Sequence, residues 1–201
     1  MSGGIRTIVV VMATLAAAAP AAADTLPSPQ LPLPTSQGVP QAAPSAAAPA
    51  AAAGDATAEA PLAQQVLAAI NDLRRSHGLV PLKSSSRLAR AAAVHSFAMA
   101  KSGFFSHSSS DGSPFWKRVK SYYGAKGWAY WATGENLLWA SPELDAGQAI
   151  TMWMNSPPHR ENLLLPRWRE IGLSAVHAVG AGGSYGGLDV TIVTADFGVR
   201  R

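Results

Sequence analysis

Apolar positions recur at helical spacing from residue 61 onward. Leu62, Val66, Ile70 and Leu73 fall three and four residues apart, predicting a helix over 61–77 with Gly78 as its C-cap. A second helix over 84–102 places Leu88, Ala92, His95 and Met99 on one face, between a serine cluster and Gly103. Ser113 with Pro114 opens a short helix to Tyr123. Ser141 with Pro142 opens a fourth, ending near Asn155, and Ser156 with Pro157 opens a fifth, stopped by Pro166. In each pair the hydroxyl can cap free amides while proline occupies the first turn without losing a bond. The period then changes. IGLSAVH (171–177) and LDVTIVTADFG (188–198) read as strands, joined by GAGGSYGG as a flexible connection, with shorter strands expected at 104–106 and 134–139. Helices first and strands last predict an α+β layered domain.

The first 60 residues carry none of this pattern. MSGGIRT precedes a 12-residue apolar run and Ala21-x-Ala23, the three parts of a secretory signal peptide over 1–23 with cleavage after Ala23. The run is shorter than the ~20 residues that span a bilayer, so no transmembrane segment is expected after cleavage. Residues 24–60 are mainly Ala, Pro, Gln and Ser without an aromatic side chain, the composition of a disordered linker. The folded domain is therefore expected over 61–201.

Charge and cysteine count narrow the function classes. The chain carries +4, and residues 1–60 hold only Arg6 against Asp24, Asp55 and Glu59, so the domain itself carries +6. Its basic residues are scattered without interleaved aromatics, which argues against nucleic acid and is compatible with anionic envelope polymers. There is no cysteine, so an exported domain must hold by packing alone.

Two of the five histidines sit where turn residues meet helix starts. His107 lies in FFSHSSSDGSP and His159 in NSPPHREN. With Ser156 as N-cap, His159 falls on the first helical turn, where the positive end of the helix dipole favours a neutral ring. It reads equally as a ligand or as a cap of its own helix. Glu135 lies between Gly134 and Asn136, immediately before LLW, and reads either as a site acid or as a carboxylate satisfying loop amides. His95 reads as a core histidine, His77 as a solvated helix end, and His177 as uninformative. Two imidazoles and a carboxylate suit a divalent metal or general acid–base work, but their spacing alone does not show that they converge.

The ordered series NDLRRSHGLVPL, LARAAAVHSFAMAKSGFFSHSSSDGS, TGENLLWA, MWMNSPPHRENLL, REIGLSAV and DFG resembles the CAP superfamily of cysteine-rich secretory, antigen 5 and pathogenesis-related proteins, in its cysteine-free bacterial branch. The likeness covers about residues 61–198. It implies a three-layer α-β-α sandwich with a central antiparallel sheet and a cleft holding two histidines and two acids. Carried over by motif, these are His107, Glu135 and His159, facing one another across the cleft. The second acid falls on Ser156, a departure that removes one carboxylate; Asp111 could supply it, or could serve only its own turn.

The resemblance and the residues together lead to a secreted or cell-envelope binding module, non-catalytic, able to bind a divalent metal through His107, Glu135 and His159, with zinc favoured over calcium and no organic cofactor. Its ligand would be extracellular, such as a lipid or an envelope component. Phe104, Phe105, Trp128, Trp131 and Trp139 could line a groove, though most are expected in the core. The alternative is a metal-assisted hydrolase of peptide, glycan or phosphodiester bonds.

Overall fold

The computed structural model describes residues 12–17 and 55–201. The rest of the expected leader, and the expected linker up to residue 54, lie outside the described residues. In chain order the elements are β1 (Met12–Ala17), β2 (Ala56–Ala58), α1 (Ala60–Ser76), β3 (Lys83–Ser84), α2 (Ser86–Ser102), α3 (Phe115–Tyr122), β4 (Trp131–Ala140), α4 (Ala146–Met154), α5 (Pro157–Leu163), β5 (Glu170–Ala181) and β6 (Leu188–Arg200).

The strands form one sheet in the order β1-β4-β6-β5-β2, with β3 joined to β5 in parallel and every other pairing antiparallel. Side chains alternate across it. Ala132 and Leu138 of β4 share a face with Val193, Ala195, Phe197 and Val199 of β6, and there they meet Leu62, Val66 and Ile70 of α1, Trp153 of α4 and Leu163 of α5. On the opposite face Leu137, Trp139, Val190 and Ile192 meet Met99 and Ala100 of α2. Beyond them Leu88 and Ala91 pack with Phe115, Val119 and Tyr123 around α3. Helical layers on both faces of a central antiparallel sheet make this an α+β, three-layer α-β-α sandwich. No helix among the described residues is long and apolar enough to cross a membrane.

Several boundaries differ from the sequence expectation. Helix α4 starts after Asp145 rather than at Ser141, because Asp145 and Gln148 form a reciprocal capping box: Gln148 N donates to Asp145 Oδ1 at 2.8 Å, and Asp145 N to Gln148 Oε1 at 2.9 Å. Residues 104–106 form no strand; Ser106 instead offers its carbonyl to His95. Residues 56–58, expected within the linker, pair with β5, and Glu59 N donates to Ala175 O, so ordered structure begins before Pro61.

The GAGGSYGG connection is packed, not loose. Gly183 opens a 3-10 turn at φ +58°, and a Cβ there would stand 2.1 Å from Gly103 O, so the two glycines let the connection lie directly on the end of α2. Tyr185 is buried and donates to Phe104 O at 2.9 Å.

Helix α2 reaches the sheet through another missing side chain. A Cβ on Gly172 of β5 would stand 1.9 Å from Ala89 N and 2.1 Å from Leu88 C, so that helix backbone lies directly on the strand. Gly172→Ala should force the two apart at a cost of about 2 kcal/mol or more, lowering Tm by roughly 4–8 °C in thermal unfolding. An unchanged Tm would mean that the helix does not make this approach.

Candidate functional site

Glu135 sits in the middle of β4 with 0% exposure, on the face toward α2 and α3. Both of its carboxylate oxygens are engaged. Oε1 is 2.7 Å from His107 Nδ1, and Oε2 accepts from Arg118 Nη2 in a short contact. Arg118 also donates to Ser109 Oγ at 3.1 Å and to His107 O at 3.4 Å, tying the loop that carries His107 to the helix that carries the guanidinium. His107 packs its ring against Phe115 at 6.2 Å between centroids. A charge in the core is tolerable when paired and hydrogen-bonded in this way.

A second carboxyl belongs to the cluster. Asp196 of β6 is the direct cross-strand partner of Glu135 and is fully buried. Burial holds its carboxyl well above the usual carboxylate range, and the neighbouring Glu135 charge adds to the shift. Burial also pushes Glu135 up, to about 7, against the opposing pull of Arg118. One proton on the pair leaves one negative charge facing one guanidinium, a neutral cluster. With Glu135 as acceptor, His107 Nδ1 is the donor of this bond.

His159 belongs to the other helical layer. It is buried in the first turn of α5, and its Nδ1 lies 2.7 Å from Ser156 Oγ, so Ser156 holds a histidine where the resemblance expects an acid. The backbone of His159 is fixed from β4: Asn136 Nδ2 donates to His159 O at 3.1 Å, and Asn162 Nδ2 donates to Asn136 Oδ1 at 2.9 Å. Adjacent residues of β4 thus serve opposite layers, Glu135 toward His107 and Asn136 toward α5. The side of β4 away from β6 is the side on which β1 pairs.

Asp111 is exposed and accepts from Ser113 N at 2.9 Å, and its carboxyl is held low by these Ser113 contacts. It closes its own turn. Among the described residues, no group of three or more His, Cys, Asp or Glu side chains is gathered closely enough to hold a metal. Glu135, taken up by His107 and Arg118, stands behind His107 as its hydrogen-bond partner.

His95 is a core histidine, with Nε2 2.7 Å from Ser106 O; burial, and then the Arg118 charge, lower its pKa to about 3. Trp131 and Trp139 are core residues and Phe104 and Phe105 pack against the core, while Trp128 is exposed beside Arg200. The groove expected from these five aromatics is therefore mostly interior.

Arg118 and Asp196 are absent from the sequence reading, yet each left a signal. Phe115, Val119 and Tyr123 form the buried stripe of α3, and Arg118 falls beside it, a charge on an apolar face. Asp196 interrupts a strand whose neighbours are otherwise apolar or threonine.

A three-layer sandwich with a buried acid, imidazole and guanidinium cluster on its sheet defines the class. The chain belongs to the cysteine-rich secretory protein (CAP) family, whose model matches residues 67–197. It is 33% identical over 116 residues to the uncharacterized protein YkwD of Bacillus subtilis (strain 168), a match covering 57% of this chain and 42% of that relative. The chain thus spans less than half the length of that protein. Among solved structures, an extracellular protein containing a SCP domain from Bacillus anthracis str. Ames aligns at a TM-score of 0.52 and 27% identity, over 70% of this chain and 41% of that one. An outer surface protein from Borrelia burgdorferi shares the fold at a TM-score of 0.58 and 20% identity, over 74% of this chain and 99% of that one.

The paired carboxyls give stability a defined pH dependence. Both are harder to ionise folded than unfolded, so the folded state holds more protons between the ordinary carboxylate range and about pH 7. The Glu135 contribution is full below about pH 4 and is lost as pH rises through about 7, at up to about 1.4 kcal/mol per pH unit, and Asp196 acts in the same direction. Urea unfolding across that range should show a flatter profile for Glu135→Gln than for the unsubstituted chain. Identical profiles would remove Glu135 from the pH dependence.

Proposed function

We propose that this protein is a secreted or cell-envelope CAP-domain binding module, non-catalytic, that takes its ligand at the β4 edge between His107 and His159 and can hold a divalent metal there. The observation that carries this reading is the engagement of both Glu135 oxygens by His107 and Arg118. A carboxylate so held orients an imidazole; it is poorly placed to take a proton from water or substrate. Asp196 is fully buried away from solvent, with a carboxyl harder to ionise than usual, and is poorly placed to act as a base either.

The export pattern of residues 1–23, together with relatives named as extracellular or outer-surface proteins, supports secretion or surface display. Imidazole donors favour zinc over calcium, which prefers oxygen ligands. The domain's +6 charge suits an anionic envelope component as the larger ligand. Metal-assisted hydrolysis is the second reading, supported by the pairing of two imidazoles with a carboxylate in the family resemblance.

Zinc and calcium calorimetry on the full chain, and on the chain beginning at Asp24, tests the metal. Zinc should bind near one per chain in the chain beginning at Asp24, and more weakly in the full chain; His107→Ala and His159→Ala should each abolish binding with the fold kept. Glu135→Gln should weaken it roughly 10–100-fold without abolishing it, the signature of an orienting partner. Absence of zinc binding in the folded chain would refute the metal reading.

A further inference from the structure

The β4 edge has the properties of a docking slot. β4 runs for ten residues and pairs continuously with β6, from Trp131 opposite Arg200 to Ala140 opposite Thr191. It contains no proline, lysine or bulge to blunt its other side, and its one charged residue, Glu135, points into the core. An open edge of this length templates a further strand, so a stable domain needs it covered. Residues 12–17 cover it. MATLAA pairs antiparallel with β4 from Met12 opposite Leu137 to Ala17 opposite Ala132, lies against α5, and sets Thr14 opposite Glu135.

We propose that the β4 edge is a binding slot for an extended peptide strand of small and aliphatic residues, and that residues 12–17 fill it in cis while the N-terminal segment is attached. Recognition runs through main-chain hydrogen bonds to β4, as in strand addition at other sheet edges. Residues 12–17 belong to the same chain as β4, with 37 residues between Ala17 and Asp55, so the strand is presented to the edge at high effective concentration. Removal of residues 1–23, as the export pattern predicts, opens the slot to a strand of the same chemistry from a partner. The occupant lies beside the site acid, so a bound strand and a ligand between the two histidines would compete for one place. The slot itself does not depend on metal binding.

Hydrogen exchange of β4 backbone amides in the intact full chain tests the proposal without any metal. Thr14→Pro, which breaks the β1 ladder, should speed exchange on β4 at least tenfold; unchanged rates would overturn occupancy in cis. A synthetic peptide of residues 10–19 added to the Thr14→Pro chain should restore the protection. The same peptide N-methylated at residues 13–16 should not, because its main-chain donors are gone. No restoration, or equal restoration by both peptides, would overturn the slot.

Discussion

The pairing of Glu135 with Arg118 is the constraint on which the site depends. A carboxylate at the centre of a covered strand, with a second carboxyl directly across the ladder, would carry a desolvation cost of several kcal/mol if left unpaired. The guanidinium offsets that cost, and its remaining bonds reach the loop of residues 107–109. The same interaction therefore neutralises the sheet interior, docks α3 and fixes the orientation of His107. The buried charge thus adds direction to the apolar packing of Phe115, Val119 and Tyr123 that seats α3.

The second histidine is governed by different physics. His159 is placed by a neutral amide relay, Asn162 to Asn136 to its own backbone carbonyl, and its ring is steadied by Ser156. One half of the site is held by charge and the other by amide dipoles, and the two halves belong to layers separated by the sheet. The strand between them, β4, is thus anchored from both layers at consecutive residues.

Most of the fold was legible in the sequence because the apolar periods of α1, α2, β5 and β6 are strong and their ends carry glycine or serine signals. The start of α4 was misplaced because a Ser-Pro pair and an Asp-x-x-Gln box compete four residues apart, and only the box closes reciprocal bonds. Loop 104–106 was misread because its aromatic residues pack against the core without pairing as a strand. At the site, His107, Glu135 and His159 stood out through their turn-rich surroundings and the family resemblance. Arg118 and Asp196 did not. Asp196 meets Glu135 through a strand register that joins positions far apart in the chain, and Arg118 meets it through the docking of a helix. No local window contains either relation.

The Gly134, Glu135, Asn136 step has a consequence for how the chain folds. Side chains alternate along a strand, so a slip of β4 by one residue against β6 would turn the carboxylate toward Trp168 and Asn162 and the amide toward Arg118. Gly134 admits only the correct alternative, since a Cβ there would stand 2.7 Å from Asn162 Oδ1 and 2.9 Å from Trp168 Cζ2. The tripeptide thus acts as a key: three unlike residues in a row that fit their three surroundings in one alignment of the sheet. The buried acid and its neighbours also encode the registration of the strand that carries them.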